Sequence, residues 1–441
     1  MVYGSLQMFP NPLPPRGPVF RRFVLALAVL ASIGAYTSPA TAQGAARAFS
    51  IYLDCSDFYC EPDFYRTDID FVDHVRERSA ADVHILITRQ STGGGGGSFT
   101  FAFYGQRRFA GISDTTTVNS QQGATEDELR RLISRAVKLG LGRYLARTPQ
   151  AARASLSVAA AAADAPTKGP TTDPWNAWVF RIGANINGSR EHDFTNNFVY
   201  GRVNASRVTD DWKTSVGINE NYNDQSFTIG SDKVTSVTRN YGASLQQVKS
   251  LGEHWSAGLN AGAASSTYLN QHLGVTISPT VEYDVFPYKD FTRQALTFQY
   301  SLGMKHFRYD DTTVYFKKVE TLPYQSLNVV LAQKQTWGSI QFAVNGYHYL
   351  NDISKSRLTF SPEADVRLFK GFSINVFGNY SVLHDQLYLP KGNLTREEVL
   401  LRQSQLATTY RAFIYMGINY TFGSVLNNVV NPRFGSNNND F

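Results

Sequence analysis

Few residues in this chain could do covalent or metal chemistry. Its two cysteines, Cys55 and Cys60 in DCSDFYCE, could close a bridge or hold a metal with Asp54, Asp57 and Asp63. Two thiolates without a histidine make no recognised ligand set, and a close pair in an exported chain is most often a disulfide. So small a ring contributes roughly 2 kcal/mol in the chain-entropy model, enough to pin a loop but not to hold up a domain. Five consecutive glycines, Gly93 to Gly97, precede no Lys-Ser/Thr pair and read as a flexible hairpin loop, not a phosphate cradle. No G-x-S-x-G, H-E-x-x-H or C-x-x-C occurs. His306 and His348 are isolated, share a face with apolar residues and read as interfacial or rim residues. The residues therefore lead to an expectation of no catalysis, no metal and no cofactor.

The elements that carry these residues begin after a leader. Arg21 and Arg22 precede an apolar run from Phe23 to Tyr36, and Ala40 and Ala42 supply an A-x-A site, so residues 1–42 read as a secretory signal. That run is too short to span a bilayer, and nothing later approaches the ~20 apolar residues of a spanning helix. Aromatic residues are 13% and charged residues only 18% of the chain, while mean hydropathy is −0.27. Strands that alternate apolar and polar residues fit that balance. The signal takes away Arg16, Arg21 and Arg22 and no acidic residue, lowering the net charge from +6 to +3. With no basic stripe interleaved with aromatics, nucleic acid is not an expected partner.

Residues 45–148 read as a small α+β domain carrying the Cys55–Cys60 disulfide. FSIYLD, DVHILIT and FTFAFYG are strands, TTTV a shorter one. A helix is expected over TDIDFVDHVRER, with Thr67 and Asp70 at capping spacing and Ile69, Val72 and Val75 on one face. A second helix starts at the Thr125/Glu128 capping box and presents Leu129, Ile133, Val137 and Leu141 at helical spacing. The order of elements resembles the small periplasmic domain of TolB-type proteins. Residues 149–174 are rich in Ala, Pro and Thr and read as a linker.

From Trp175 the pattern changes to period two. Strand-like segments fall at 178–190, 197–209, 212–224, 233–249, 255–267, 273–286, 294–308, 323–334, 337–350, 355–369, 372–384 and 408–422. Short connections are expected at one end and long loops, 309–322 and 385–407, at the other. The expected fold is mainly β, a 12-stranded antiparallel transmembrane β-barrel over 175–422. Its lumen face would carry Arg181, Arg202, Lys213, Glu282, Asp284, Lys305, Glu363, Asp365 and Arg367. Mixed signs fit a salt-bridged plug or a weakly selective narrow pore, and twelve strands leave open which. Trp175, Trp178, Trp212, Trp255 and Trp337 all lie at the starts of odd strands, as a membrane-interface girdle on one side requires. Within 385–407, Thr395 and Glu398 form a capping box for a short helix that could act as a lid, pack on the rim or bind a partner.

In YMGINYTFG, Tyr415, Gly417, Tyr420 and Phe422 look like the signal that the barrel-assembly machinery reads on a last strand. An Asn-rich tail, 423–441, follows it. YLDC, RRFAG, EYDVFPY, QLYLPKG, QLAT and NNVVNPRFG together resemble a family of outer-membrane barrel proteins with a periplasmic front domain. The C-terminal half is similar to the salt-induced outer-membrane barrel family. These resemblances imply an outer-membrane location, with outer-membrane lipid and the barrel-assembly machinery as partners, and bring no assigned substrate. The His254-Trp255-Ser256 triplet is similar to the His-x-Ser of outer-membrane phospholipases, but sits at an expected turn without that family's surrounding residues. Two functions stay open: a narrow channel for small solutes, or an anchoring protein whose front domain recruits a periplasmic protein or the cell wall.

Overall fold

The computed structural model describes residues 47–55, 60–93, 95–155, 173–229, 232–291, 293–392, 407–426 and 428. The expected leader, most of the linker, the helix expected around Thr395 and Glu398, and the tail beyond Asn428 lie outside them. From Ala48 onward the chain is one contact unit.

Its first part is a five-stranded sheet in the order β2-β1-β3-β4-β5. β1 (Ser50–Asp54) runs parallel to β2 (Asp73–His74) and β3 (Val83–Ser91), while β4 (Gly97–Gly105) and β5 (Ser113–Asn119) continue antiparallel. The first helix, α1, spans Pro62–Asp68 and starts earlier than the sequence pattern predicts. Pro62 in its first turn supplies a preset φ, and Val72 is buried beside a short strand instead of in a helix. Spacing that suited a helical face also suited the two-residue β2, and pairing with β1 decided between them. The second helix, α2 (Glu126–Leu145), begins at Thr125 with both bonds of the capping box formed. It lays Ile133, Val137 and Leu141 on Phe99, Phe101 and Phe103 of β4 in one core cluster.

The rest is a twelve-stranded antiparallel meander in which sequence neighbours pair throughout, the order of an up-and-down barrel. β6 to β17 are Trp178–Arg190, Phe194–Val208, Trp212–Ile229, Asp232–Ser250, Trp255–Ser266, Gln271–Asp284, Gln294–Tyr309, Val319–Gln335, Gly338–Tyr349, Asp352–Phe369, Phe372–Leu383 and Tyr410–Tyr420. Among the described residues no ladder joins β6 to β17. The connections are less segregated than expected. β8 and β9 run on into one long hairpin, which absorbs a connection that would otherwise be a loop. A 3-10 turn at Tyr288–Asp290 lies between β11 and β12, at the end where short turns were expected.

The ladders carry one side-chain parity around the whole sheet. Ser256 faces Glu282, Glu282 faces Gln299, and Gln341 faces Glu363. Ser278, Thr280, Thr297, Ser301 and Ser381, all of this parity, are buried. The opposite parity carries exposed Ile182, Ile218, Ile277, Met304, Leu358 and Ile418. The enclosed face is polar and the exposed face apolar, the reverse of a water-soluble barrel.

This inversion sets a test on the mid-strand Ile277. Ile277→Lys should cost about 2–4 kcal/mol if that face meets lipid, but less than about 0.5 kcal/mol if it meets water. Urea unfolding of parent and variant in lipid vesicles separates the two.

Candidate functional site

The lumen parity brings charge together at two ends. One is the turn end, where β6 starts and β15 finishes; the other is the loop end, where β12 finishes and β15 starts.

At the turn end the front sheet meets the barrel. Its Phe99–Phe103 face is covered by α2. The opposite face, with Asp54, His84, Leu86 and Thr88, is also buried, and the barrel reaches it. Arg367, on β15, forks onto the Asp54 carboxylate, with Nη2 2.8 Å from Oδ1 and Nη1 bonded to Oδ2. Asp54 is 1% exposed, and His84 Nε2 lies 3.0 Å from its Oδ2. His84 Nδ1 has no hydrogen-bond partner among the described residues. With Nε2 donating to Asp54, a bare Nδ1 acceptor is the neutral tautomer, since a second buried N–H would be stranded. Burial accordingly holds the His84 imidazole below its ordinary value, against the opposing pull of the Asp54 hydrogen bond.

Three further contacts fix this end. Past β17 the chain runs beside the β2 edge: Leu426 bridges Val75, the Arg76 N–H donates to the Val425 carbonyl at 2.9 Å, and Asn428 Oδ1 accepts from the His74 N–H at 2.6 Å. Lys370 lies 3.8 Å from Glu77. The glycine run is also explained here. Gly95 has φ +86°, and a side chain on it would occupy the place of the Arg181 guanidinium, as one on Gly93 would that of Val208. The loop expected to be merely flexible needs glycine to approach the barrel.

At the loop end, Lys305 of β12 points its ammonium at three rings, 4.2 Å from Tyr347, 4.7 Å from Tyr324 and 5.7 Å from Tyr349. Beside it, Arg357 of β15 grips Asp385, with Nη2–Oδ2 2.9 Å and Nε–Oδ1 3.1 Å, and Tyr347 donates its hydroxyl to the same carboxylate. Leu387, two residues on, is buried against Leu322, Tyr324 and Tyr349. A short inward loop thus occupies the lumen between β12 and β15.

Of the expected lumen residues, Lys213, Glu282 and Asp284 share a cavity of about 270 Å³ with Gln246, Asn260 and Gln299. Arg367 and Arg181 face the front domain, and Lys305 belongs to the loop end. Arg202 pairs across to Asn219, Glu363 to Gln341 and Asp365 to Ser339 along their ladders. They form no single site. Trp178, Trp212 and Trp255 open their strands on the outward parity, with Trp175 and Trp337 just before β6 and β14. Trp255 lies 4.7 Å from Tyr283, and Lys249 lies 5.4 Å over Trp212. Tyr415 and Gly417 carry the inner parity of β17 opposite Phe377 and Asn375; Tyr420 faces outward and Phe422 follows the strand. His254 Nδ1 lies 2.7 Å from the Asp284 carbonyl, whereas Ser256 is directed to Glu282 at 3.5 Å, so the His-x-Ser pair is not brought together. Cys55 and Cys60 are disulfide-bonded. Arg357 and Asp385 were not singled out from sequence. Arg357 shares the parity of Glu363 and Arg367, which could have found it; Asp385 lies in a loop with no period to read.

No protein-family model matches the chain, and no curated protein matches it. Among solved structures it is similar to the NanC porin, at 9% identity and a TM-score of 0.27, over 55% of this chain and 99% of that one. It is also similar to the translocator domain of the autotransporter NalP from Neisseria meningitidis, at 13% identity and a TM-score of 0.24, over 56% of this chain and 88% of that one. At these scores neither likeness bears on function.

Two outcomes follow at the turn end. Arg367→Gln removes the fork from a buried carboxylate, a loss of about 3 kcal/mol, and should speed hydrogen exchange in β1 and β3 roughly a hundredfold. The depressed His84 imidazole works with pH in a definite direction. The protonated form is favoured once the site opens, so stability is held above the ordinary imidazole value near 6.5 and falls as the pH drops below it. Thermal unfolding between pH 8 and 5.5 should show that slope for the parent and a flatter one for His84→Gln.

Proposed function

We propose that this is an outer-membrane β-barrel protein whose narrow lumen conducts small polar solutes, with the front domain in the periplasm acting on its turn end. The observation that carries the reading is the inverted sheet, with exposed Ile, Leu and Met on one parity and buried Ser and Thr on the other, which also bears charge of both signs. An outward apolar face requires lipid, and a polar lumen has a use where polar solutes pass. The turn-end tryptophans fit an interfacial girdle. The contacts at both ends support a gated conduit over a permanently open hole.

The second reading, a non-enzymatic anchor or assembly protein that recruits a periplasmic protein or the cell wall, is favoured by one feature. β5 is an exposed edge strand on the side of the front sheet away from the tail, and such an edge can accept a partner strand.

Single-channel recording in planar bilayers separates them, comparing the full chain with a form starting at Trp175. Conductance steps that are larger or more frequent in the shorter form are expected. Silence of both would overturn the conduit and leave the anchor, to be pursued by cross-linking through the front domain.

A further inference from the structure

The loop-end lumen holds a complete receptor for a carboxylate, and what fills it is a piece of the same chain. The Asp385 carboxylate meets the side-on fork of Arg357 at 2.9 and 3.1 Å and the hydroxyl of Tyr347. Fork-to-carboxylate pairing is the geometry by which guanidinium recognises this group, and a phenol donor completes it. Lys305 adds a second cation against the Tyr347 ring, 4.2 Å from its centre. Among the described residues no carboxylate lies within ion-pair distance of that ammonium. The lumen side thus supplies two cations and a hydroxyl donor for a single carboxylate.

The carboxylate is delivered by a segment held from outside. Leu389 and Thr312 carbonyls accept from the Val314 and Lys391 N–H groups at 2.8 and 2.7 Å, so the segment is fastened beyond Asp385. Asp385 and the neighbouring Leu387 meet the lumen side chains as a carboxylate beside a short apolar stem. A small organic acid has the same two parts.

We propose that Arg357, Lys305 and Tyr347 form a binding site for the carboxylate of a small organic acid, and that Asp385 occupies it as an internal stand-in which such a solute displaces. Binding follows from the three lumen side chains alone. That displacement also opens a path rests on the conduit reading above. The loop is then a gate whose ligand is the class of solute it admits, and solutes without a carboxylate leave it shut.

Equilibrium dialysis of radiolabelled succinate against the purified full chain in detergent tests the site without any need for conduction. Asp385→Asn, with Asp385→Ser as a second form of the same deletion, should bind succinate at least about tenfold more tightly than the parent, the competing internal ligand having gone. Adding Arg357→Gln to either should abolish the gain. Equal binding by parent and Asp385 variants, or retention of the gain without Arg357, overturns the proposal. Bilayer recording of the same proteins tells the two readings apart. Succinate binding with silent bilayers keeps the site and sinks the conduit. Conduction by Asp385→Asn with no succinate binding and no preference for anions keeps the conduit and sinks the site.

Discussion

The barrel sheet can be built only if its apolar parity faces something other than water, and the remaining structure answers to that condition. Once Ile, Leu and Met are committed outward, the polar side chains of the opposite parity share the other face, and those that are buried there gain from a partner. The lumen face accordingly carries short residues that bond across strands. Thr280 and Ser301 lie 2.8 Å apart, the Asn260 amide donates to Thr280 at 3.0 Å, and Thr359 and Ser381 lie 3.0 Å apart. Such pairs brace neighbouring strands. Arg357 and Arg367 lie towards opposite ends of the same strand, β15, where a carboxylate from outside the sheet reaches each of them.

The turn-end pair constrains the front domain in turn. A sheet face bearing a carboxylate and an imidazole would ordinarily look into water. Here Asp54 is taken out of solvent, and a buried carboxylate without a cation is costly. Arg367 meets that need, His84 stays neutral behind it, and the chain past β17 holds the β2 edge of the same domain. The segment between the domain and β6 need not position it, because the fork, the edge pairing and the glycine approach do so. The Cys55–Cys60 bridge closes immediately after Asp54, at the end of β1, where a drifting loop would misplace the carboxylate.

Much of this was legible from the residues. Period two over long stretches located all twelve strands, because the rule that writes the sequence is the one that folds it. Loop lengths were less legible: β8 and β9 are polar enough at their far ends to read as loop, yet pair to Ile229 and Asp232. The first helix was misplaced because Ile69, Val72 and Val75 satisfy two periods at once, and only pairing with β1 chose between them. The Asp54–Arg367 fork joins residues 313 apart, and no local pattern announces such a contact. Arg357 obeyed the parity rule, but it could gain meaning only through Asp385.

The two arginine–aspartate pairs resemble each other chemically and differ in what must move to break them. Opening the turn end separates a whole sheet face, with Leu86 and Thr88, and unzips the edge pairing of Leu426 and Asn428. Opening the loop end moves a shorter segment, the one that carries Asp385 and Leu387. Burial of a leucine is worth about 1.5–3 kcal/mol, and the withdrawn Asp385 regains its hydration, which offsets the lost ion pair. A step of that size leaves a minor open population within reach of a ligand's differential affinity. The larger turn-end interface holds the domain in place while the smaller loop-end contact is free to respond, so the loop end is where a solute can act.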